Sequence, residues 1–536
     1  MPQVEWKVLV TDGLAPEAVS VFKEDARFHV DVRPSTSAAE VLELIPAYDA
    51  LVVRSATKVT ADVIGRAKKL KVIARAGVGV DNIDVEASTK AGVLVVNTPE
   101  GNTISACEQT FALLLASARH IARADRSVRK GEWRRKENVG SELRGKTLAI
   151  VGLGKIGREV ARRARAFDMT VVGFDPVVTD EMAREMRVEL LSLEEVWKRA
   201  DFITLHVPLN EKTKHMISTK QLAQMKPNAR IVNCSRGGVI DEKALAEAIK
   251  AKKIGGAALD VFEEEPPSKQ HPLFEVDDAT LTPHLGASTI EAQENVGIEA
   301  ARLIMEFLDQ GTIKNAVNAP ALDAPALARI APYRSLASKI GSLQAQLLDG
   351  KLKRFSVTYA GQAFGDERSR SRQVLTIAAL EGFFRHYLSS PVNYVNVPHF
   401  AREHGIALEE TTSSETEGFV NLLTVRIETT KGARRISGAI FGERSPRITH
   451  IDTYTMDAMP EGHMIFFAND DTPGMLGMVG TILGRNQVNI ATVSMGRDRK
   501  AGTALACLNV DNEITAGVLK ELEATRGIVW VRRVVL

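Results

Sequence analysis

The chain has 536 residues, 44% of them hydrophobic and 25% charged, and 69 basic against 67 acidic side chains leave a formal charge of +2. That length exceeds what one hydrophobic core supports, so several globular units are expected, and the near-neutral balance argues against a nucleic-acid or membrane-surface binder. Three widely spaced cysteines, Cys107, Cys234 and Cys507, suggest neither a disulfide framework nor a zinc site, which suits a reducing cytoplasm and leaves no metal expected.

The opening segment MPQVEWKVLVTDG has charges within its apolar stretch and is expected to be a first strand, not a secretion signal. From about 6 to 97, runs such as KVLVTDG, ALVVRSA, KVIARAG and VLVVNTP alternate with the helical-period stretches AEVLELI and ADVIGRAKKL. This alternation predicts an open parallel sheet. Residues 105–129 read as one long helix, and their apolar run 111–118 is too short to span a bilayer. A second strand–helix alternation runs to about 281, and a long helix at 288–310 is placed to return the chain to the first unit. The expected division is therefore 1–98 plus 288–318 around an inserted 99–287.

In the stretch APALDAPALARIAP, 319–332, prolines should interrupt any helix and make a linker. Residues 319–455 read as a mixed α and β unit without a catalytic pattern. Its basic turn DERSRSR is expected to be a solvated loop, with an anion or a neighbouring subunit as alternatives. From 463 to 536 the order strand, helix, strand, strand, helix, strand predicts a small ferredoxin-like sandwich.

The strongest chemical signal is LAIVGLGKIGREVARRARAFDMTVVGFDP. Gly152, Gly154 and Gly157 follow an apolar strand and open a helix, and Asp175 closes the next strand, the order that a dinucleotide fingerprint requires. Gly152 permits the tight turn, Gly154 lets the backbone approach a pyrophosphate, and Gly157 lets the helix pack on the sheet. Lys155 and Ile156 lie at the helix start, where free N–H groups and the dipole favour phosphate. Asp175 would bond ribose hydroxyls and repel a 2'-phosphate, so NAD is expected rather than NADP. The fold class is thus α/β: two Rossmann-like doubly wound parallel sheets, an α+β unit and the ferredoxin-like unit.

Three further strand ends carry polar groups: NCSRGGVID with Arg236, ALDVFEEEPP with Asp260 and Glu265, and LTPHLGAST with His284. Taken in order with GLGKIG and Asp175, they resemble the D-isomer-specific 2-hydroxyacid dehydrogenase family. RSATKVT, RAGVGVDNID and NTPEGN are similar to the branch of that family acting on 3-phosphoglycerate. The resemblance implies that Arg236 binds the substrate carboxylate, that His284 is the general acid/base and that Glu265 orients its imidazole. It places His206, Val207, Pro208, Cys234, Ser235, Asp260, Gly286 and Val78 around the cofactor. The types suit the chemistry: hydride leaves C2 only as the hydroxyl loses its proton, histidine accepts protons near neutrality, and arginine grips a carboxylate by two prongs.

A phosphorylated substrate needs local positive charge and backbone donors, for which Arg54, Ser55, Arg75, Ala76, Gly77 and Asn102 are the candidates, with sheet-edge ion pairs as the alternative for Arg54 and Arg75. Arg135 matches a position that reaches a neighbouring subunit's site, or it is a solvated base. ANDDTPGMLGMVGTILGRNQVNIATVSM resembles an ACT domain. Asp471 and Asn489 stand where relatives hold an amino acid, and Asn469 stands where some have histidine. L-serine is the effector implied, with a ligand-free assembly module as the alternative. The resemblance further implies 3-phosphoglycerate and phosphohydroxypyruvate as substrate and product, serine biosynthesis as the setting, possible side reduction of 2-oxoglutarate, an intervening domain at 319–455 and a homotetramer. A hydroxypyruvate or glyoxylate reductase, or a NAD-sensing scaffold, are the competing readings.

Overall fold

A computed structural model describes residues 4–322, 324–365, 369–388, 392–442 and 444–536. Five parallel strands form the first sheet, in the order Phe28–Arg33, Trp6–Thr11, Ala50–Val53, Val72–Arg75 and Leu94–Asn97. Their centres (Val8, Leu9, Val10, Leu51, Val52, Ile73) are fully buried because helices cover both faces, which is why these strands are apolar throughout instead of alternating. Helix Ile290–Gln310 lays Val296, Ala300, Ala301 and Ile304 against one face, so the chain returns to this sheet after leaving it.

The second sheet has seven parallel strands, in the order Ala279–Leu281, Gly256–Leu259, Arg230–Asn233, Phe202–Leu205, Thr147–Val151, Thr170–Phe174 and Glu189–Leu190. Chain order reverses between Thr147–Val151 and Phe202–Leu205, which opens a crevice at their carboxyl ends. Gly152 and His206 are the residues just past those two ends, and His206 N–H donates to Val151 O at 2.8 Å.

The helix expected over 105–129 is instead two, Thr103–Ala118 and Ile121–Arg129, broken at His120, whose φ is +53°. The cause is tertiary: Ala118 O accepts from Ser141 N at 3.0 Å, and the His120 ring sits 3.4 Å from Asp278 Oδ1.

The expected linker is also corrected, since helix Ala324–Gln346 runs through Pro332. An interior proline costs about 3 kcal/mol. Ile330, Leu336, Ile340 and Leu343 are almost wholly buried along this helix, and at about 1.5–3 kcal/mol each they outweigh it.

That helix and Ser369–Phe384 cover one face of a six-stranded sheet, in the order Ala407–Ser413, Leu352–Gly361, Asn421–Thr429, Ala433–Phe441, Ser445–Ile451 and Tyr454–Ala458. Only its first pair is parallel. In the basic turn DERSRSR, 366–368 lie outside the described residues. Ser369 onward is helix rather than loop, and Arg372 donates to Phe364 O and Gly365 O, both at 2.7 Å.

The last sheet is antiparallel, in the order Ile490–Asp498, Thr503–Val510, His463–Asp470 and Ile528–Val535. Helices Met475–Arg485 and Ala516–Glu523 cover one face. Met464, Phe466, Leu505, Cys507 and Val534 on the other face join the core of the six-stranded unit.

Candidate active site

At the crevice, two glycines of GLGKIG have steric reasons and the third does not. Gly152 has φ +97°, and a Cβ there would lie 2.3 Å from His206 O. At Gly157 a Cβ would lie 2.1 Å from Gly152 O. A Cβ on Gly154 would meet nothing within 4 Å, so this residue, the N-cap of helix Lys155–Ala166, faces open space. Gly157→Val should therefore force the helix off the turn and weaken NAD binding by at least about tenfold, a loss of about 1.4 kcal/mol. Titration of intrinsic fluorescence with NADH reads it directly.

Asp175 Oδ2 accepts from Leu153 N at 2.8 Å, and Oδ1 accepts from Val177 N at 2.8 Å, so this carboxylate also holds the turn it was expected to face. Lys155 Nζ pairs with Glu100 Oε1 at 2.5 Å, while Ile156 packs into the core beneath. Val207 packs beside Gly152, and Pro208 O accepts from Thr213 Oγ1 at 2.6 Å. Burial presses the His206 imidazole down to about 4, so it is uncharged at neutral pH, with Nε2 3.0 Å from Thr204 Oγ1. Cys234 is buried, and desolvation pushes its thiol up to about 12, which leaves it protonated.

The third and fourth strand ends meet in a dyad. His284 Nδ1 lies 2.7 Å from Glu265 Oε2, and Glu265 Oε1 accepts from Phe262 N at 3.1 Å. Burial raises the Glu265 carboxyl, but the bonds from His284 and Phe262 N, with the charge of Arg236, outweigh it and keep it below its ordinary value. Glu265 is thus ionised at neutral pH, its bond fixes Nδ1 as the donor, and Nε2 remains for proton transfer.

The loop that presents His284 depends on Asp260, which is fully buried. Its Oδ1 accepts from Leu285 N at 2.8 Å and from Thr282 Oγ1, and its Oδ2 accepts from Gly286 N at 2.8 Å. Gln109 Nε2 adds bonds of 3.3 Å to Asp260 Oδ1 and 3.2 Å to Thr282 Oγ1. Asp260 and Gly286, expected beside the cofactor, are through these contacts also supports of the histidine loop. Gln109 was missed altogether, since a polar residue in an apolar helix gives no hint of a partner some 150 positions away.

Arg236 is held on two sides. Its Nη1 donates to Ser235 O at 2.7 Å, and its Nε donates at 3.1 Å to Asp81 Oδ2, on a loop of the first sheet. Asn233 orders this turn through bonds of 2.9 Å to Arg236 O and 2.7 Å from Ser235 Oγ. Asp81 lies inside the motif RAGVGVDNID, but only the fold reveals its arginine partner.

Arg75 faces the same region. Burial above all, then the nearby charges of Arg236 and Arg54, drive its guanidinium down to about 10. Its Nη1 donates to Ala76 O at 2.9 Å, its Nε is buried without a hydrogen-bond partner, and a Cβ on Gly77 would overlap it. Arg54 N–H donates to Asp12 Oδ2 at 2.9 Å, Ser55 beside it is exposed, and Val78 O accepts from Asn97 Nδ2 at 2.6 Å. Asn102 Oδ1 is another buried atom without a hydrogen-bond partner. Arg135 is exposed, two positions after the exposed Trp133.

Comparison with known proteins follows this layout. Residues 111–286 match the model of the D-isomer specific 2-hydroxyacid dehydrogenase NAD binding domain. Residues 329–452 match the D-3-phosphoglycerate dehydrogenase intervening domain, and 463–527 the ACT domain. D-3-phosphoglycerate dehydrogenase of Methanocaldococcus jannaschii is 44% identical over 97% of this chain and 98% of that protein. The Bacillus subtilis protein of the same name is 41% identical over 98% and 99%. The chain belongs to the D-3-phosphoglycerate dehydrogenase family. Solved relatives of the catalytic part include a glyoxylate reductase from Paecilomyes thermophila, 30% identical with a TM-score of 0.54 over 59% of this chain and 99% of that one. Another is Aquifex aeolicus D-lactate dehydrogenase complexed with NAD and lactic acid, 28% identical with a TM-score of 0.52 over 59% and 100%.

As a member of this family the chain is an NAD-dependent dehydrogenase, and the crevice fits that cofactor: Gly154 leaves room above a helix N-terminus, and Asp175, bonded to Leu153 N, sets a carboxylate beside that turn. In the ACT domain Asp471 receives Arg497 Nη2 at 2.6 Å, and Asn489 Nδ2 donates to Asp511 Oδ2 at 2.7 Å. Asn469 is buried in the central strand with its Oδ1 unpaired. No helix of the described residues is long and apolar enough to cross a membrane.

Proposed function

We propose that this chain oxidises the C2 hydroxyl of 3-phospho-D-glycerate to phosphohydroxypyruvate, with His284 as the base. What carries the reading is that Arg236 adjoins both the His284–Glu265 pair and, across the Gly77–Gly79 loop, the buried Arg75, which in turn feels the charge of Arg54. A substrate bearing both carboxylate and phosphate needs more than one cationic contact, and Arg75, buried and electrostatically strained, gains most from an anion. Arg236 takes the carboxylate and polarises C2, while Arg75 and Arg54 take the phosphate with the backbone of Ala76 and Gly77. NAD supplies the hydride acceptor. His284 Nε2 removes the hydroxyl proton, and Glu265 steadies the resulting imidazolium.

The domain limits expected from the sequence belong to the same reading, with 319–455 as an intervening unit and the ACT domain as a sensor of L-serine. Asp471, Asn469 and Asn489 line that sensor, and Arg135 reaches a second subunit within a homotetramer. Cytoplasmic serine synthesis is the setting.

Parallel assays of NADH consumption with phosphohydroxypyruvate and hydroxypyruvate test the substrate. The phosphorylated acid is expected to be preferred by at least about 10²-fold in kcat/KM, since a site built around charge leaves buried cations unpaired with the smaller acid. Equal values for the two acids would refute it. Millimolar L-serine in the same assay should inhibit.

A further inference from the structure

Beneath the loop that carries Glu265 lies a buried polar pair. Glu242 Oε2 is 2.6 Å from His271 Nε2, and the two side chains are only 8% and 10% exposed. Glu242 opens helix Glu242–Lys250, yet it is not the cap: Asp241 serves that role, its Oδ1 accepting from Ala244 N at 3.0 Å. A glutamate in a first helical turn normally meets solvent, so burying this one is costly unless its bonds do something else.

Those bonds lead to the dyad. Glu242 Oε1 accepts from Glu263 N at 2.7 Å, and Glu263 Oε1 accepts in return from Glu242 N at 3.3 Å, with His215 Nε2 at 3.1 Å. The His271 ring meets Phe262 edge-on, with centroids 5.5 Å apart. Phe262 N–H is the donor that holds Glu265 Oε1. On its other side Phe262 O presses on the Arg236 loop, since a Cβ at Gly237 would lie 1.7 Å from it. Glu242 therefore pins the two residues from which Glu265 is aimed.

We propose that Glu242, locked by His271, is a positioning residue for proton transfer: it fixes Phe262 and Glu263 so that Glu265 holds the His284 ring in its working tautomer and direction. The inference rests on His284 being the base. A small misalignment of a proton acceptor costs turnover without weakening substrate or cofactor binding.

The test uses the full chain with Glu242→Ala, Glu242→Gln and His271→Ala, reading kcat and both KM values for phosphohydroxypyruvate reduction by NADH. Glu242→Ala is expected to lose about 10–50-fold in kcat, with each KM within about twofold of the parent. Glu242→Gln, whose amide oxygen still accepts from Glu263 N, should recover to within about threefold of the parent. Parent-like kcat in Glu242→Ala, a loss confined to KM, or no recovery in Glu242→Gln would overturn the proposal. If Glu242→Ala does not fold, His271→Ala decides by the same split, because it removes the lock and leaves the Glu263 bond. His284→Gln measured alongside separates the two claims. Normal turnover there removes the base assignment, whereas a dead His284→Gln with an unaffected Glu242→Ala removes only the positioning pair.

Discussion

Exchanging His284 for glutamine is expected to lower kcat by about 10³-fold, within the span that a positioned acid–base group supplies. The ring is anchored at Nδ1 by Glu265, 2.7 Å away, and the imidazole of His206, past another strand end, cannot replace it, because burial holds that group down to about 4. Glutamine retains a polar group of similar reach but accepts no proton at neutral pH. NAD affinity should change little, since the glycine turn and Asp175 belong to other strand ends. Stopped-flow measurement of NADH formation in a single turnover, with NADH binding measured by fluorescence, checks both halves. Turnover within tenfold of the parent, or about 1.4 kcal/mol, would remove His284 from the role.

The second large effect is expected at Arg236. Arg236→Lys keeps the charge and loses the fork, and kcat/KM for phosphohydroxypyruvate should fall by about 10²–10³-fold, or about 2.7–4 kcal/mol of transition-state stabilisation. The guanidinium is already oriented: Nη1 is tied to Ser235 O and Nε to Asp81, so the fork is aimed before substrate arrives. A lysine has one ammonium to place and no plane to orient. Thermal stability should move little, because the Asp81 side chain is 73% exposed and such pairs contribute about 0–1 kcal/mol. Steady-state kinetics beside a melting curve separate the effects; an unchanged kcat/KM would show that charge alone suffices.

The cofactor turn was legible in the sequence because its constraints are local. Gly152 and Gly157 each avoid a collision with backbone nearby in the same strand–helix unit or at the adjoining strand end, and the spacing records this. Glu265 and His284 could be named from their motifs, but their contact could not be read from spacing. It arises because Ala279–Leu281 pairs in parallel with Gly256–Leu259 and brings two loops 19 positions apart side by side. The break at His120 had no local mark either, since its partners Ser141 and Asp278 arrive from elsewhere in the chain. Pro332 misled in the opposite sense: the local rule was sound, and burial of the surrounding helix overrode it. Asp260 and Gln109 share this pattern. Their types were visible, while the loop they support exists only in three dimensions.

The Asp81–Arg236 contact joins loops from the two parallel sheets, one on each side of the cleft. Before substrate enters, the guanidinium already holds a carboxylate, one tethered to the opposite wall. The bond that aims the fork is thus also a tie between the two walls, and because the Asp81 side chain is 73% exposed, dissolved salt weakens that tie.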